Sequence, residues 1–297
     1  MTNAPPFTTR FAPSPTGPLH LGHAYSALLA HDMAQDAGGR FLLRIEDIDS
    51  TRCRAHWEAQ IHDDLTWLGL SWPRPVMRQS DRASAYAAAL DDLWARGLLY
   101  PCTCTRRDIA EATSAPQEGG APIGPDGVIY PGTCRPAHRP AGPAGPRSRD
   151  AHLRLDMARA METLAPAEFV YVECGDGPGT VRQTIRFEAR DILAGIGDIV
   201  LARRDMGTSY HLSVVLDDGA QGISDVVRGA DLSEATRIHV VLQRLLDLPT
   251  PVYHHHRLIR DDTGKRLAKR DDARAIARYR EEGATPAALR AMLGLDR

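Results

Sequence analysis

Lysine is nearly missing from this chain of 297 residues: of its 36 Lys+Arg, only Lys265 and Lys269 are lysine. The chain uses arginine almost everywhere that a positive charge suffices. Two lysines confined to one short stretch therefore mark a place where a compact, flexible ammonium is wanted rather than a rigid planar fork. Aromatic residues are few, at 6%. No long apolar run occurs, which excludes a membrane-spanning helix, and the opening Met-Thr-Asn-Ala-Pro-Pro shows no charged segment followed by an apolar one, as a secretory signal would. A cytoplasmic protein is expected, and in a reducing cytosol its five cysteines do not form a disulfide framework. A formal net charge of −2 argues against a protein coated in phosphate contacts.

What is present is a large enough core for about two domains and two unusual peptides far apart in sequence. The first, Pro13-Ser14-Pro15-Thr16-Gly17-Pro18-Leu19-His20-Leu21-Gly22-His23, follows a short strand at residues 8–12 and leads into an Ala/Leu-rich helix over 24–37, ended by Gly38-Gly39. A strand, a tight turn and a helix whose first turn carries two histidines and a glycine suit a phosphate. The glycine lets it approach the backbone, the helix N-terminus offers free N–H groups, and imidazoles donate to oxygens gaining charge. The second, Gly264-Lys265-Arg266-Leu267-Ala268-Lys269-Arg270, follows a strand predicted over 252–259 and lies at its tip. A lysine there can follow a phosphate as it moves. Residues 251–297 carry 11 Lys+Arg against 7 Asp+Glu, an excess suited either to RNA phosphates or to an ordinary solvated face.

Between these ends, Arg40 to Asp47 reads as a strand whose carboxylates sit at the mouth of a sheet, where Glu46 can hold an ammonium group or pair with a nearby arginine. Trp57, Ile61, Leu65 and Leu68 follow helical spacing up to Gly69, and a second helix runs over 82–96. Residues 115–149 hold 8 prolines and 7 glycines and read as loop; 151–187 reads as β-rich. The main sheet is expected to resume near 198–202. A helix follows from Tyr210, a strand over 224–228, a helix capped by Ser233 and running to Leu246, and two short helices over 273–282 and 286–293. His254, His255 and His256 are consecutive, so on a strand they alternate faces and cannot share one metal. Cys102, Cys104 and Cys134 fall within one insertion and suggest zinc, which takes four ligands, or else a set of small apolar residues; His138 is a chemically usual fourth ligand. Cys53 and Cys174 read as structural.

Residues 20–23 and 266–270 resemble the paired "HIGH" and "KMSKS" signatures of class I aminoacyl-tRNA synthetases. Arg10 to Gly17, Arg44-Ile45-Glu46-Asp47, Gln79-Ser80 and Val227-Arg228-Gly229-Ala230-Asp231 resemble the glutamyl/glutaminyl branch in particular. The resemblance implies an α/β fold, a Rossmann-type doubly wound parallel sheet split by a zinc-containing insertion, with a small helical C-terminal subdomain. The expected segments are 1–100 and 191–248 for the two catalytic halves, 101–190 for the insertion, and 249–297 for the stem-contact-like subdomain carrying the lysine loop. It further implies ATP binding by His20, Gly22, His23 and Lys269, with His20, His23 and Lys269 catalytic, and glutamate binding by Arg10, Ser14, Glu46, Tyr210 and Arg228. Tyr130 is implied as the fourth ligand of a single structural Zn²⁺, with Mg²⁺ accompanying ATP. Two departures, Arg266 for the usual first lysine and Ala268 for the usual serine, bear on any hydroxyl role in that loop.

The chain ends where longer members continue into an anticodon-binding region, and so resembles the short members that transfer glutamate to queuosine in the anticodon of tRNA(Asp). The partners implied are L-glutamate, ATP and that tRNA, with no membrane, for a monomer. The rival readings are a truncated synthetase charging tRNA(Glu) and a zinc-dependent RNA-binding module without catalysis.

Overall fold

Strand β1 (Thr8–Phe11) starts the fold, and α1 (Leu21–Asp36) crosses back to the parallel β2 (Arg40–Ile45). The computed structural model describes residues 6–113, 122–137, 145–166, 168–175, 181–260 and 274–295. The return from α1 to β2 depends on Gly39: a Cβ there would lie 2.2 Å from the Phe7 carbonyl oxygen, which instead accepts from Arg40 N at 2.8 Å. No L side chain fits that gap. Next come α2 (Ala55–Trp67), the short parallel edge strand β3 (Met77–Arg78), α3 (Ala83–Ala95) and β4 (Leu99–Cys102).

A region of smaller elements follows: α4 (Arg106–Thr113), the two-residue strands β5 (Ile123–Gly124) and β6 (Gly127–Val128), β7 (His152–Leu155) and α5 (Met157–Leu164). The chain then forms β8 (Phe169–Glu173), β9 (Gln183–Phe187), α6 (Ala189–Gly195), β10 (Val200–Ala202), α7 (Tyr210–Gln221), β11 (Asp225–Gly229), α8 (Thr236–Leu245), β12 (Val252–His256), α9 (Ile276–Glu281) and α10 (Pro286–Leu293).

The strand order is β3-β2-β1 on one side and β11-β12-β8-β9 on the other, parallel throughout except for the antiparallel β8–β9 pair. β1 and β11 stand side by side where the halves meet; Ser224 N donates to Thr8 O at 3.0 Å. This is the switch point of a doubly wound sheet, outside whose carboxyl ends a crevice opens.

Three expectations change. Residues 200–202 do not resume the main sheet; they pair antiparallel with β7, which pairs with β4 in a separate three-stranded sheet. The main sheet resumes earlier, with β8 lying against β12, and helix α5 interrupts the stretch read as β-rich. The sheet assignments turn on partner choice, which hydrophobic patterning within a segment does not encode, whereas α5 is a local element capped by the Asp156 side chain. Finally, α8 begins at Thr236 with no side-chain cap, and Ser233 instead follows a short 3-10 turn.

The core is divided. One cluster packs α1, β2 and α2 with Ile276, Leu289 and Leu293 of the last two helices, and a second packs α3, α5, α7 and α8 against β7, β8 and β9. In α8, Ile238, Val241, Leu242 and Leu245 are buried at helical spacing. The C-terminal helices are tied to α1 by a bidentate Arg290–Asp32 pair at 2.8 and 3.0 Å. No helix among the described residues is long and apolar enough to cross a membrane.

Candidate active site

His20 is the N-cap of α1, and the two histidines of the turn cap it together. His20 Nδ1 accepts from Gly22 N at 3.1 Å, and His23 Nδ1 accepts from His20 N at 3.2 Å. A backbone N–H only donates, so both Nδ1 atoms are bare and each neutral ring carries its proton on Nε2. The two rings lie against each other with centroids 3.8 Å apart and planes tilted by 32°. Gly22 suits this packing, because a Cβ there would sit 3.0 Å from His20 Cε1 and the ring would have to shift. The turn thus presents imidazole N–H donors at a helix N-terminus, as an anion site needs.

It opens onto a cavity of about 350 Å³ whose lining includes Arg10, His20, Gly22, His23, Glu46, Tyr210, Arg228 and His256. Glu46 accepts from Arg44 Nη2 at 3.1 Å through Oε1, and its Oε2 takes no hydrogen bond among the described residues. Burial pushes its pKa up, so an arriving cation would relieve it. The Tyr210 hydroxyl, also raised by burial, has no hydrogen-bond partner among the described residues.

Behind these side chains lies a buried ionic cluster that sequence reasoning missed. Asp218 on α7 takes Arg10 Nε at 3.0 Å, Arg10 Nη2 at 3.2 Å and Arg44 Nη1 at 2.7 Å. Burial raises its pKa, but the two guanidiniums outweigh burial and hold its carboxyl below the usual range. The adjacent Asp217, fully buried, accepts from Gln79 Nε2, Arg82 Nε and Tyr86 Oη. Two neighbouring aspartates therefore tie three of the recognised peptides into one frame. The signal was legible in principle, as a pair of carboxylates directly after the apolar run Val214-Val215-Leu216.

Arg228 differs from Arg10. It donates to His255 Nε2 at 3.1 Å, His239 Nδ1 at 3.0 Å, Leu232 O at 3.3 Å and Thr236 Oγ1 at 2.7 Å, and no carboxylate lies within ion-pairing distance among the described residues. Four of its five N–H groups are held by neutral acceptors and the charge remains available. The three consecutive histidines do face different partners: His254 meets Asp225, His255 meets Glu173, and His256 meets Ser26.

Ser14 lies in the turn after β1, where its carbonyl accepts from Thr16 N at 2.8 Å, and it is not part of the cavity wall. Lys265, Arg266, Ala268, Lys269 and Arg270 lie outside the described residues. The chain before them, at Ile259, lines the cavity; the chain after them, at Ala275, bridges to His20.

The three cysteines meet at the end of β4. Cys102, Cys104 and Cys134 have their sulfurs within 4.8 Å of one another, and the Tyr130 hydroxyl sits among them, 3.5 Å from Cys102 Sγ, 3.3 Å from Cys104 Sγ and 2.8 Å from Cys134 N. Thiolates on a tetrahedral zinc stand ~3.8 Å apart, so this donor set fits the ion. Arg154, unanticipated, places Nε 3.3 Å from Cys102 Sγ and its guanidinium carbon 3.8 Å from the centre of the Tyr130 ring, which favours a thiolate. His138 lies outside the described residues.

The family "tRNA synthetases class I (E and Q), catalytic domain" matches residues 6–131 and 169–296. The chain belongs to this family. It is an aminoacyl-tRNA synthetase-like ligase. It is 61% identical to the "Glutamyl-Q tRNA(Asp) synthetase" of Rhodobacter capsulatus, over 97% of this chain and 99% of that one. It is 41% identical to the protein of the same name from Geobacter sulfurreducens, over 94% and 81%. Among solved structures it resembles a glutamate tRNA ligase from Elizabethkingia meningosepticum, in complex with its amino acid, with a TM-score of 0.72 and 25% identity. The match covers 97% of this chain and 60% of that longer synthetase. The unmatched residues 132–168 of the family alignment hold Cys134 and β7.

Proposed function

We propose that the protein activates L-glutamate with ATP and transfers the glutamyl group to queuosine in the anticodon of tRNA(Asp). The observation that carries this reading is the shared cavity: the imidazole donors of the His20–His23 turn and the Glu46, Tyr210 and Arg228 side chains line one space. Adenylation needs a carboxylate held in contact with a triphosphate, and positioning supplies much of the rate.

In the first step an oxygen of glutamate's α-carboxylate attacks the α-phosphorus of ATP; the P–O bond to the β-phosphate breaks, and pyrophosphate leaves with Mg²⁺. In the second a hydroxyl of the modified base attacks the acyl carbon and AMP departs. His20 and His23 donate from Nε2 to phosphate oxygens, and Lys269 stabilises the departing pyrophosphate. Arg228 holds a substrate carboxylate, Glu46 Oε2 the ammonium, and Tyr210 Oη completes the pocket. Arg10 shapes the pocket from its bond to Asp218, and Ser14 bears on it through the turn it occupies. The names of the 61% and 41% identical relatives support the acceptor. Purified tRNAs incubated with radiolabelled glutamate and ATP test it. Alkali-labile label is expected only on tRNA(Asp) containing queuosine; label on tRNA(Glu), or on tRNA(Asp) lacking queuosine, defeats the proposal.

Zinc, held by Cys102, Cys104, Cys134 and Tyr130, would supply no chemistry to the reaction; it would pin the end of β4 to the loop at 130–134. The Cys134 thiol ionises more readily than an ordinary cysteine. Burial raises its pKa, but the Tyr130 hydroxyl and the Thr103 backbone draw it down to about 7. Cys134→Ser is expected to abolish zinc in purified protein by atomic absorption, against one ion per chain otherwise. The thermal midpoint should fall by roughly 2–4 °C for each kcal/mol lost. Full zinc content in Cys134→Ser would refute the site.

A further inference from the structure

Behind Arg228 runs a line of imidazoles that the chemistry above leaves unused. His239 on α8 and His211 on α7 are buried, at 2% and 7% exposure. Arg228 Nη1 donates to His239 Nδ1 at 3.0 Å. A guanidinium cannot accept, so Nδ1 is bare and the proton of the neutral ring sits on Nε2. Burial, and next the charge of Arg228, hold the His239 pKa well below the ordinary histidine value, which keeps the ring neutral. Its Nε2–H faces His211 Nδ1 at 3.1 Å, which fixes the second ring the same way round. His211 Nε2 in turn lies 3.5 Å from Asp126 Oδ1, in the turn between β5 and β6. Every step in the line runs outward from the arginine.

The opposite edge of the guanidinium is held as firmly. Nε donates to His255 Nε2; Nη2 donates to Thr236 Oγ1, whose hydroxyl lies 3.2 Å from that same His255 nitrogen; and His255 Nδ1–H is turned to Glu173. With Leu232 O on Nη2, the one N–H left for a ligand among the described residues is the second hydrogen of Nη1, the nitrogen that His239 holds. The direction of that donor is therefore set by His239.

We propose that His239, backed by His211 and anchored at Asp126, is a positioning residue that fixes the guanidinium plane of Arg228 for the substrate's carboxylate. This rests on the reading that Arg228 binds glutamate. A buried imidazole on α8, among the apolar Ile238, Val241 and Leu242 and the buried polar Thr236 and Gln243, costs desolvation that a leucine would not, so space-filling does not account for it. The line also connects the glutamate pocket to the β5–β6 turn, far from it in sequence.

Glutamate-dependent ATP–pyrophosphate exchange, with both substrates varied, tests the proposal on His239→Leu, His239→Asn and Asp126→Asn. The asparagine at 239 can place a carbonyl oxygen near the position of Nδ1 and accept from Nη1; leucine cannot. His239→Leu is expected to raise the KM for glutamate about tenfold or more while the KM for ATP stays within about twofold, and His239→Asn to recover most of that loss. Asp126→Asn, at a half-exposed position, is expected to raise the glutamate KM by about two- to fourfold with an unchanged thermal midpoint, and gives the reading if His239→Leu does not fold. A glutamate KM unmoved in His239→Leu, or in Asp126→Asn when the leucine variant does not fold, overturns the proposal. So does a rise shared equally by ATP, or one that asparagine does not reverse. Absence of exchange in the unsubstituted protein would instead overturn the functional reading beneath it.

Discussion

Asp218→Asn is expected to cost about 3–5 kcal/mol of folding stability, the range for removing one partner of a buried ion pair. Two guanidiniums depend on this carboxylate: Arg10, bound through two nitrogens, and Arg44, which is completely buried. Asparagine keeps one acceptor oxygen but turns an N–H₂ group toward a cation and leaves Arg44 with Glu46 as its one ion pair among the described residues. Against the roughly 5–15 kcal/mol by which domains are stable, this is enough to bring the protein close to unfolding at moderate temperature. Urea denaturation measures it as a lower midpoint at unchanged slope. A loss under about 1 kcal/mol would mean that the two arginines are neutralised by something other than Asp218.

The pH dependence has a definite sign. The folded pKa of Asp218 is depressed, so its contribution is present above the unfolded value of about 3.9 and lost as pH falls through the folded value. Glu46 has the opposite sign: its pKa is raised by burial, so ionising it weakens the fold as pH rises through that value. Wild type should therefore lose stability steeply below about pH 4, and Asp218→Asn should lose less over the same interval.

Arg228→Lys is expected to lower kcat/KM for glutamate by about 10²- to 10³-fold in ATP–pyrophosphate exchange, or about 3–4 kcal/mol of transition-state binding. The substitution keeps the charge and loses the geometry. Lysine offers three donors on one atom, and one atom cannot reach His239, His255, Thr236 and Leu232 together while also facing a substrate. Buried acceptors would be left unpaired, at roughly 1–3 kcal/mol for each group. The ATP KM should change little, because the His20–His23 turn caps its own helix and takes nothing from Arg228. An unaltered glutamate KM, in a variant whose thermal midpoint matches wild type, would remove Arg228 from the pocket.

Legibility in the sequence followed the distance over which each feature is decided. The His20–His23 turn could be read because capping is local: residues 20, 22 and 23 satisfy one another. The cysteine cluster could be read from spacing together with the family's tyrosine, and Tyr130 does sit between Cys102 and Cys104. Glu46 was placed correctly at the mouth of the sheet, with both of its possible partners left open, and Arg44 turned out to hold one of its oxygens. The ion partner of Arg10 could not be anticipated, since Asp218 stands 208 residues later. The same holds for His239, which looks like any polar residue on an amphipathic helix until Arg228 is brought beside it.

The sequence by itself determined the family, the capped His20–His23 turn, the thiol cluster and which residue types carry charge, because each of these is written in residue types and spacings that can be read along the chain. Only the tertiary structure decided which charges are spent and which are free. Arg10 and Arg44 share Asp218, with Glu46 also on Arg44, whereas Arg228 is held by neutral imidazole, hydroxyl and carbonyl groups. It also decided that β8, and not β10, lies beside β12. The reason is the same in both cases. Strand partners and ion partners are chosen by burial across the whole chain, where an unmatched backbone edge or an unpaired charge is costly, and no window of neighbouring residues contains that information.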